Sequence, residues 1–261
     1  CHGLGATREM RLFAFAERFV AEGYAVLAFT YRHFGDSEGE PRQLLDIGNE
    51  LDDIAAALKY ARALDGVDND RVALWGTSFG GGNVMEAGVR DGNVTSIVAQ
   101  CPFTDGTASG MTLGPVSTAK MAAVSVADKL GGLVGRKPIY AMLAGTRGDA
   151  AMMTAHDVVE GYMALLPEGY EPDNRVAARI GVDIIFYRPG KSLKKLTCPT
   201  LVCISQNDTV APAKPAIKFV DAAGPNVQAK LYPYGHFDIY LGDAFEEVIV
   251  DQIEHFARTL A

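Results

Sequence analysis

The chain is poor in cysteine, and its few cysteines are not arranged for cross-linking or metal binding. Only Cys1, Cys101, Cys198 and Cys203 occur among 261 residues, with no CxxC pair and no histidine at ligand spacing. This pattern argues against a zinc site or a disulfide framework and favours a reducing compartment. We therefore expect small buried thiols, no metal and a cytoplasmic protein.

Positive charge and long apolar runs are also scarce. Lys and Arg number 24 against 32 Asp and Glu, a net charge of −8, which argues against binding to a nucleic-acid backbone. No apolar run approaches the roughly 18 residues that a membrane helix needs, so no membrane span is expected. With 48% hydrophobic residues, the chain still has ample material for a buried core.

The apolar residues that are present follow two alternating patterns. Short apolar runs predict strands, and apolar residues spaced three and four apart predict amphipathic helices. Their alternation is typical of an α/β fold with a mostly parallel, doubly wound sheet. Strands are predicted at Tyr24–Tyr31, Val72–Trp75, Ser96–Cys101, Thr200–Ser205 and Gln228–Tyr232. Helices are predicted over Thr7–Glu22, Leu44–Ala61 and Phe245–Leu260. One further helix is predicted to end near Val89, and another is predicted to begin near Pro212.

The pattern changes between residues 103 and 195. Gly, Ala and Met accumulate there and strand-like alternation disappears, which predicts several short helices. We interpret residues 103–195 as a helical cap inserted into one core. That core would be formed by residues 1–102 and 196–261.

One segment matches the GxSxG pattern in a strand–turn–helix context. GTSFG, with Ser78 at its centre, directly follows the strand predicted at Val72–Trp75 and precedes a predicted helix. A serine on such a sharp turn leaves no room for side chains two residues away, so the turn needs Gly76 and Gly80. Ser78 is therefore the candidate nucleophile.

A second match, GDSEG around Ser37, fails the same test of context. Three residues separate it from the preceding predicted strand, and Glu40-Pro41 follows instead of a helix. The two carboxylates that flank the serine would also oppose an alkoxide there. We interpret Ser37 as an ordinary loop residue.

A serine nucleophile on such a turn needs an acid and a base later in the chain, in that order. Of five histidines, only His236 and His255 lie late enough. His236 follows the last predicted strand in a loop, from which a base can reach across the strand ends. His255 falls within the last helix among charged neighbours, and we interpret it as a solvated surface residue.

Three aspartates compete for the role of the acid. Asp208 comes shortly after the end of a predicted strand, the position that suits a triad acid. Asp105, after an earlier strand, is the alternative. Asp238 lies too close in sequence to His236 to orient the imidazole ring.

Five segments in order resemble the α/β-hydrolase superfamily, namely HGLG, YRHFGDSEG, WGTSFGGG, PTLVCISQND and YGHFDIY. The resemblance is nearest to the serine aminopeptidase-like and dienelactone hydrolase-like branch. It implies an α/β-hydrolase fold with a helical cap, with Ser78 as nucleophile, Asp208 as acid and His236 as base. It also implies an oxyanion hole at the backbone N–H groups of Leu4 and Phe79.

The resemblance also concerns the start of the chain. It implies a structural role for His2 and places about 30 residues of strands and loops before it. The sequence starts at Cys1 instead of Met. We therefore expect the native N-terminus to lie upstream and the first strands of the fold to be missing from this chain.

These residues predict acyl transfer through a covalent intermediate, with no metal or organic cofactor. A serine hydrolase of carboxylic esters or thioesters is the first hypothesis. The alternatives are a peptidase, amidase or acyltransferase with the same triad, and a ligand-binding protein whose triad mainly recognises its ligand. The expected partner is a small acyl substrate, with no nucleic acid and no membrane span, and homodimerisation is left open.

Methionines concentrate in the predicted cap, which holds Met152, Met153 and four others. Flexible apolar side chains above Ser78 would form an adaptable pocket for an apolar acyl chain. Simple filling of gaps between short helices is the alternative. The predicted pocket residues are Met111, Met121, Met142 and Met163.

Overall fold

Seven strands form two sheets. The structure, a computed structural model, describes residues 1–261. The strands are β1 (Ala73–Thr77), β2 (Ser96–Gln100), β3 (Tyr140–Ala144), β4 (Ala151–Met153), β5 (Arg175–Ala177), β6 (Thr200–Ser205) and β7 (Val227–Tyr232). The central sheet is fully parallel in the order β1-β2-β6-β7, which confirms four of the five predicted strands. Every residue of the inner strands β2 and β6 is buried, whereas the edge strand β7 exposes its middle residues.

Nine helices surround the sheets. They are α1 (Leu12–Ala21), α2 (Ile47–Arg62), α3 (Phe79–Asp91), α4 (Gly106–Gly110), α5 (Pro115–Leu133), α6 (Val158–Ala164), α7 (Ile180–Ile184), α8 (Ala213–Asp221) and α9 (Gly242–Thr259). Around the central sheet, α1 packs with α9, and α2 packs with α3. None of the helices is both long and apolar enough to cross a bilayer.

Helix α2 illustrates how local sequence builds these elements. Its cap is Asp46, whose side chain accepts a hydrogen bond from the Asn49 N–H, a contact that contributes about 1 kcal/mol. Leu51, Ile54 and Leu58 then follow at helical spacing and are buried. Burial of each such side chain stabilises the fold by roughly 1.5–3 kcal/mol.

The strand predicted at Tyr24–Tyr31 is wrong. These residues pair with no strand, and Val26 and Leu27 are 41% and 42% exposed. The outer edge of β1 bonds instead to Cys1, whose carbonyl accepts from the Thr77 N–H at 3.1 Å. An apolar run forms a strand only where a neighbouring backbone completes the hydrogen-bonded ladder, and composition alone does not report that neighbour.

The sequence predicts a helical insertion, and this prediction is only partly correct because the insertion also contains strands. It contains the small sheet, in which β3 pairs in parallel with β4 and antiparallel with β5. Leu143 and Val176 of this sheet are fully buried in the same apolar core as Ile97 of the central sheet. The strands escaped prediction because short runs of Ala, Met and Leu fit a helix as well as a strand.

His255 is not a solvated surface residue, which corrects the prediction. It is only 3% exposed, and its Nε2 lies 2.9 Å from the Ser96 Oγ of β2. Burial and the nearby Arg258 lower the pKa of His255 to about 4. The ring lies on the sheet-facing side of α9, together with Val248 and Gln252, so charged sequence neighbours were a poor guide.

Candidate active site

Three polar side chains meet at the carboxyl edge of the central sheet. Ser78 directly follows β1, Asp208 lies shortly beyond β6, and His236 lies shortly beyond β7. Because all four strands are parallel, their carboxyl ends lie on one edge, where open α/β sheets bind ligands. The three residues are far apart in the chain, and the parallel sheet brings the strand ends that carry them to one edge.

Ser78 sits on a strained turn. Its φ of 55° and ψ of −119° lie outside the regions that non-glycine residues favour, a conformation that costs about 1–3 kcal/mol. Besides the helical bond from the Gly82 N–H to its carbonyl, backbone bonds to β2 and to the insertion hold it there. The Ser78 N–H donates to the Gln100 carbonyl at 2.9 Å, and the Ser78 carbonyl accepts from the Phe103 N–H at 2.8 Å. The neighbouring strand β2 and the first residue of the insertion therefore hold the backbone of Ser78 in this conformation.

The two predicted elbow glycines are required by close backbone approaches. A Cβ at Gly76 would collide with the carbonyl of Gly80. A Cβ at Gly80 would collide with the carbonyls of Cys1 and His2. The second approach matters for the site, because it lets the loop that carries Leu4 pack directly over the turn.

His236 bridges the other two side chains. Its Nε2 lies 3.0 Å from Ser78 Oγ, and its Nδ1 lies 2.6 Å from Asp208 Oδ2. With the Nδ1 proton donated to the carboxylate, Nε2 is free to accept the serine proton. The side chains of His236 and Asp208 are only 3% and 1% exposed, so water competes little for these contacts.

The surroundings of Asp208 distinguish it from the other aspartates. Its Oδ1 accepts from the N–H groups of Val210 and Ala211 at 2.8 and 2.6 Å, which leaves Oδ2 for the histidine. The alternative acid, Asp105, caps α4 and lies 3.4 Å from the Arg188 guanidinium instead. Asp238 accepts from the Gly235 N–H and does not bond to the imidazole.

The second GxSxG serine lies elsewhere. Ser37 Oγ donates to the Thr30 carbonyl at 2.6 Å. It borders an open depression of about 420 Å³ that also contains Arg32 and Asp53, an ion pair that already satisfies both charges. No histidine lines this depression.

Two backbone N–H groups without a backbone partner belong to residues that line the cavity with Ser78. Phe79 is the first residue of α3, so its N–H has no carbonyl of the helix to bond, and the Leu4 N–H donates to no backbone carbonyl either. Both residues line a cavity together with Ser78. The buried His2 supports the Leu4 loop, because its Nδ1 bonds to the Gly3 carbonyl and its Nε2 accepts from the Tyr31 N–H.

A chain of buried polar side chains lies beneath the turn, and the sequence had not indicated it. Gln252 donates to Gln100 at 2.7 Å, and Gln100 donates to the Thr77 hydroxyl at 3.2 Å. The hydroxyls of Thr77 and Tyr240 lie 2.5 Å apart. Burial and the nearby Asp208 raise the pKa of the adjacent Cys101 to about 12, so this thiol stays protonated.

The cavity beside Ser78 has a volume of about 310 Å³. On the core side, the cavity is lined by Leu4, Phe79, Val210 and Ala211 beside Ser78. Residues of the insertion form its other walls. None of its 22 lining residues carries a charge. A charged group of a ligand would lose its hydration there without a partner, so the cavity suits a neutral, largely apolar group.

Two of the four methionines predicted to line the pocket do so. Met111 and Met121 border the cavity, as do Met152 and Met153. Met142 does not border it, and Met163 is 53% exposed on the outside of α6. The prediction was wrong for these two residues. The composition showed that the insertion is rich in methionine, but it did not show which side of a helix or strand each methionine occupies. No cluster of His, Cys, Asp or Glu could hold a metal ion.

The chain resembles known proteins over nearly its whole length. The alpha/beta hydrolase family matches residues 1–250. The chain is 50% identical to the quorum-quenching protein AidA of Acinetobacter baumannii over 257 residues. This alignment covers 98% of this chain and 84% of that protein. It is also 25% identical over 271 residues to the thiohydrolase aneE of Aspergillus aculeatus, covering 100% of this chain and 84% of that protein.

A solved structure shares the architecture. The alpha/beta hydrolase GrgF from Penicillium sp. sh18 superposes with a TM-score of 0.84 over 99% of this chain and 88% of that one. The identity is 21%, so this likeness concerns the fold alone. It confirms the α/β-hydrolase fold that the sequence motifs implied.

Proposed function

The chain belongs to the alpha/beta hydrolase family, and we propose that it is a serine hydrolase that cleaves carboxylic esters or thioesters through an acyl-enzyme. One observation carries the proposal. The hydrogen-bonded series Ser78–His236–Asp208 opens into a cavity with no charged side chain. Such a series activates a hydroxyl, and such a cavity accommodates a neutral acyl group.

The first half of the reaction forms the acyl-enzyme. Ser78 Oγ attacks the carbonyl carbon of the substrate while His236 Nε2 takes its proton, and Asp208 stabilises the resulting imidazolium. The backbone N–H groups of Leu4 and Phe79 hold the negative oxygen of the tetrahedral intermediate. One such donor contributes a rate factor of about 10²–10³. The intermediate then expels the alcohol or thiol, which leaves with the proton from Nε2.

The second half of the reaction restores the enzyme. Water gives a proton to His236 Nε2 as its oxygen attacks the acyl carbon, and a second tetrahedral intermediate forms in the same oxyanion site. This intermediate expels Ser78 Oγ, which recovers the proton. The carboxylic acid is released, and all three side chains return to their starting states.

The lining of the cavity favours esters and thioesters over peptides. An aminopeptidase must bind the positively charged amino end of its substrate, which needs a carboxylate. The cavity offers none. One relative of this chain is named a thiohydrolase, which supports the inclusion of thioesters among the proposed substrates.

A matched set of substrates tests the proposal. Hexanoyl p-nitrophenyl ester, a hexanoyl thioester and hexanoyl anilide share one acyl group and differ only in the leaving group. We expect turnover of the ester and the thioester to exceed that of the anilide. Ser78→Ala should abolish this turnover, and the control Ser37→Ala should retain it, because Ser37 is bonded to a loop carbonyl.

Other outcomes identify the alternatives. Turnover that survives Ser78→Ala contradicts the proposed nucleophile. Faster turnover of the anilide indicates an amidase, and transfer of the hexanoyl group to an added alcohol at the expense of hydrolysis indicates an acyltransferase. Thermal stabilisation by all three compounds without turnover indicates a binding protein.

A further inference from the structure

One face of α5 forms a wall of the cavity. Thr118, Met121, Ala122 and Ser125 all line it. They are spaced three, four and seven residues apart, so they lie on one side of the helix. This face combines two apolar side chains with two hydroxyls, and the two hydroxyls differ in their bonding.

Ser125 carries a buried hydroxyl that bonds to nothing. The residue is 2% exposed, and its Oγ has no hydrogen-bond partner. The hydroxyls of the neighbouring cavity threonines are satisfied within the protein: Thr118 donates to the Gly114 carbonyl at 2.8 Å, and Thr112 donates to the Ser109 carbonyl at 2.8 Å. Among the hydroxyls that line the cavity, only that of Ser125 is both buried and without a hydrogen-bond partner.

An unpaired hydroxyl at this position is costly to folding. A serine within a helix commonly bonds back to the carbonyl four residues earlier, and Ser125 makes no such bond. Alanine would fit the same helix face and has the higher helix propensity. A buried polar group without a partner needs an explanation, such as a bound water, an ion or a functional role.

The opposite wall leaves room for the hydroxyl. Gly181, at the start of α7, also lines the cavity, and a Cβ there would collide with Ser125 Oγ. The absence of a side chain at Gly181 therefore makes room for this hydroxyl, which a larger residue at this position would displace.

We propose that Ser125 selects acyl groups that bear a hydrogen-bonding oxygen, such as a ketone, on an otherwise apolar chain. This inference rests on the proposed function and adds a substrate class to it. The ester carbonyl is held at Ser78, the chain extends along α5, and the Ser125 hydroxyl donates to the chain oxygen. An unsubstituted chain leaves that hydroxyl unpaired, and a site that presents an unpaired polar group discriminates against such a substrate.

Isomeric substrates test the proposal. The probes are p-nitrophenyl octanoate and the four p-nitrophenyl oxo-octanoates with the ketone on carbon 4, 5, 6 or 7. The readout is kcat/KM for each ketone divided by kcat/KM for octanoate. We expect this ratio to peak at one ketone position and to fall roughly tenfold at that position in Ser125→Ala, the size of effect that loss of one buried hydrogen bond produces.

Two further variants separate the hydroxyl from general effects on the cavity. Thr118→Val removes a hydroxyl from the same helix face that is already bonded, so the ketone preference should persist. Gly181→Ala places a methyl group against Ser125 Oγ, so the preference should fall as in Ser125→Ala. A ratio that is the same in wild type and Ser125→Ala at all four positions overturns the proposal, as does an equal loss in Thr118→Val.

A binding measurement separates failure of this inference from failure of the proposed function. The methyl esters of octanoate and of the preferred oxo-octanoate are titrated into Ser78→Ala by calorimetry, with and without Ser125→Ala. A ketone preference that depends on Ser125 supports the inference even if the wild type hydrolyses no ester. Ester turnover without any such preference overturns the inference and leaves the proposed function standing.

Discussion

On the sheet side of the cavity each functional side chain is fixed by hydrogen bonds, whereas on the insertion side apolar side chains, four of them methionines, form much of the lining. Asp208 is held by two backbone N–H groups, and Ser78 is held by bonds to Gln100 and Phe103. The insertion instead contributes methionines, whose flexible thioethers adapt to differently shaped ligands. The reaction at Ser78 requires one fixed arrangement of side chains, whereas binding of the acyl group tolerates several shapes of the cavity. The sheet side and the insertion side differ in this respect.

This contrast has a measurable consequence. Changes on the sheet side should lower turnover of every acyl group by a similar factor. Changes on the insertion side should alter which acyl group is preferred. A variant that does the opposite would break the division between the two regions.

The largest effect is expected at Asp208. Asp208→Asn should lower kcat by about 10⁴-fold, the effect known for an orienting acid replaced by its amide, because the imidazole then adopts the wrong tautomer. The loss should be equal for acetyl, butyryl and hexanoyl esters. Asp105→Asn is the matched control, since Asp105 caps α4 and does not contact His236. A greater loss in the control would move the acid to the earlier strand end.

A smaller effect is expected from acyl length. The apolar cavity predicts that kcat/KM rises from acetate toward medium-chain esters by up to about fourfold per carbon, since each buried methylene contributes about 0.8 kcal/mol. Ala122→Leu, on the cavity face of α5, should shorten the preferred chain while acetate turnover changes least. A flat or falling profile from acetate to hexanoate would show that the cavity does not bind the acyl chain.

The smallest effect concerns stability below neutral pH. Burial lowers the pKa of His2 from 6.5 to about 3, so the unfolded chain binds a proton between these values and the folded protein does not. Unfolding free energy should therefore fall as pH falls through this window, with His2 contributing roughly 2 kcal/mol of loss between pH 8 and pH 5.

The measurement is urea unfolding of wild type and His2→Asn at both pH values. Asparagine can donate and accept hydrogen bonds without titrating, so the variant should lose less stability on acidification than the wild type. Equal losses in the two proteins would mean that His2 is protonated in the folded state. The Leu4 loop would then be less tightly packed than the structure indicates.

The core was more predictable from sequence than the insertion, for physical reasons. Strands β2 and β6 are apolar because helices cover them, α3 and α9 on β2 and α8 and α9 on β6, and the elbow glycines are required by collisions of backbone with backbone. Both constraints restrict which residue types can occupy particular positions, so they leave a pattern in the sequence. The positions of Ser78, Asp208 and His236 then follow from the strand ends, and the structure brings all three together.

Features that depend on distant neighbours were not predictable. The small sheet of the insertion needs three separated segments, and the run at Tyr24–Tyr31 pairs with no strand. Glu50 occupies the apolar face of α2, where burial raises the pKa of its carboxyl well above the ordinary value and Asn83 donates to it. The unpaired state of Ser125 likewise appears only when every neighbouring acceptor is located.

The most direct test of the central claim is covalent capture of the nucleophile. The folded protein is treated with a fluorophosphonate, which reacts with activated serines, and the modified residue is located by peptide mass spectrometry. We predict one label per chain, on Ser78, with labelling lost in Ser78→Ala and retained in Ser37→Ala. A label on Ser37 or on any other serine, or a folded wild-type protein that takes up no label, would contradict the assignment of Ser78 as the activated nucleophile.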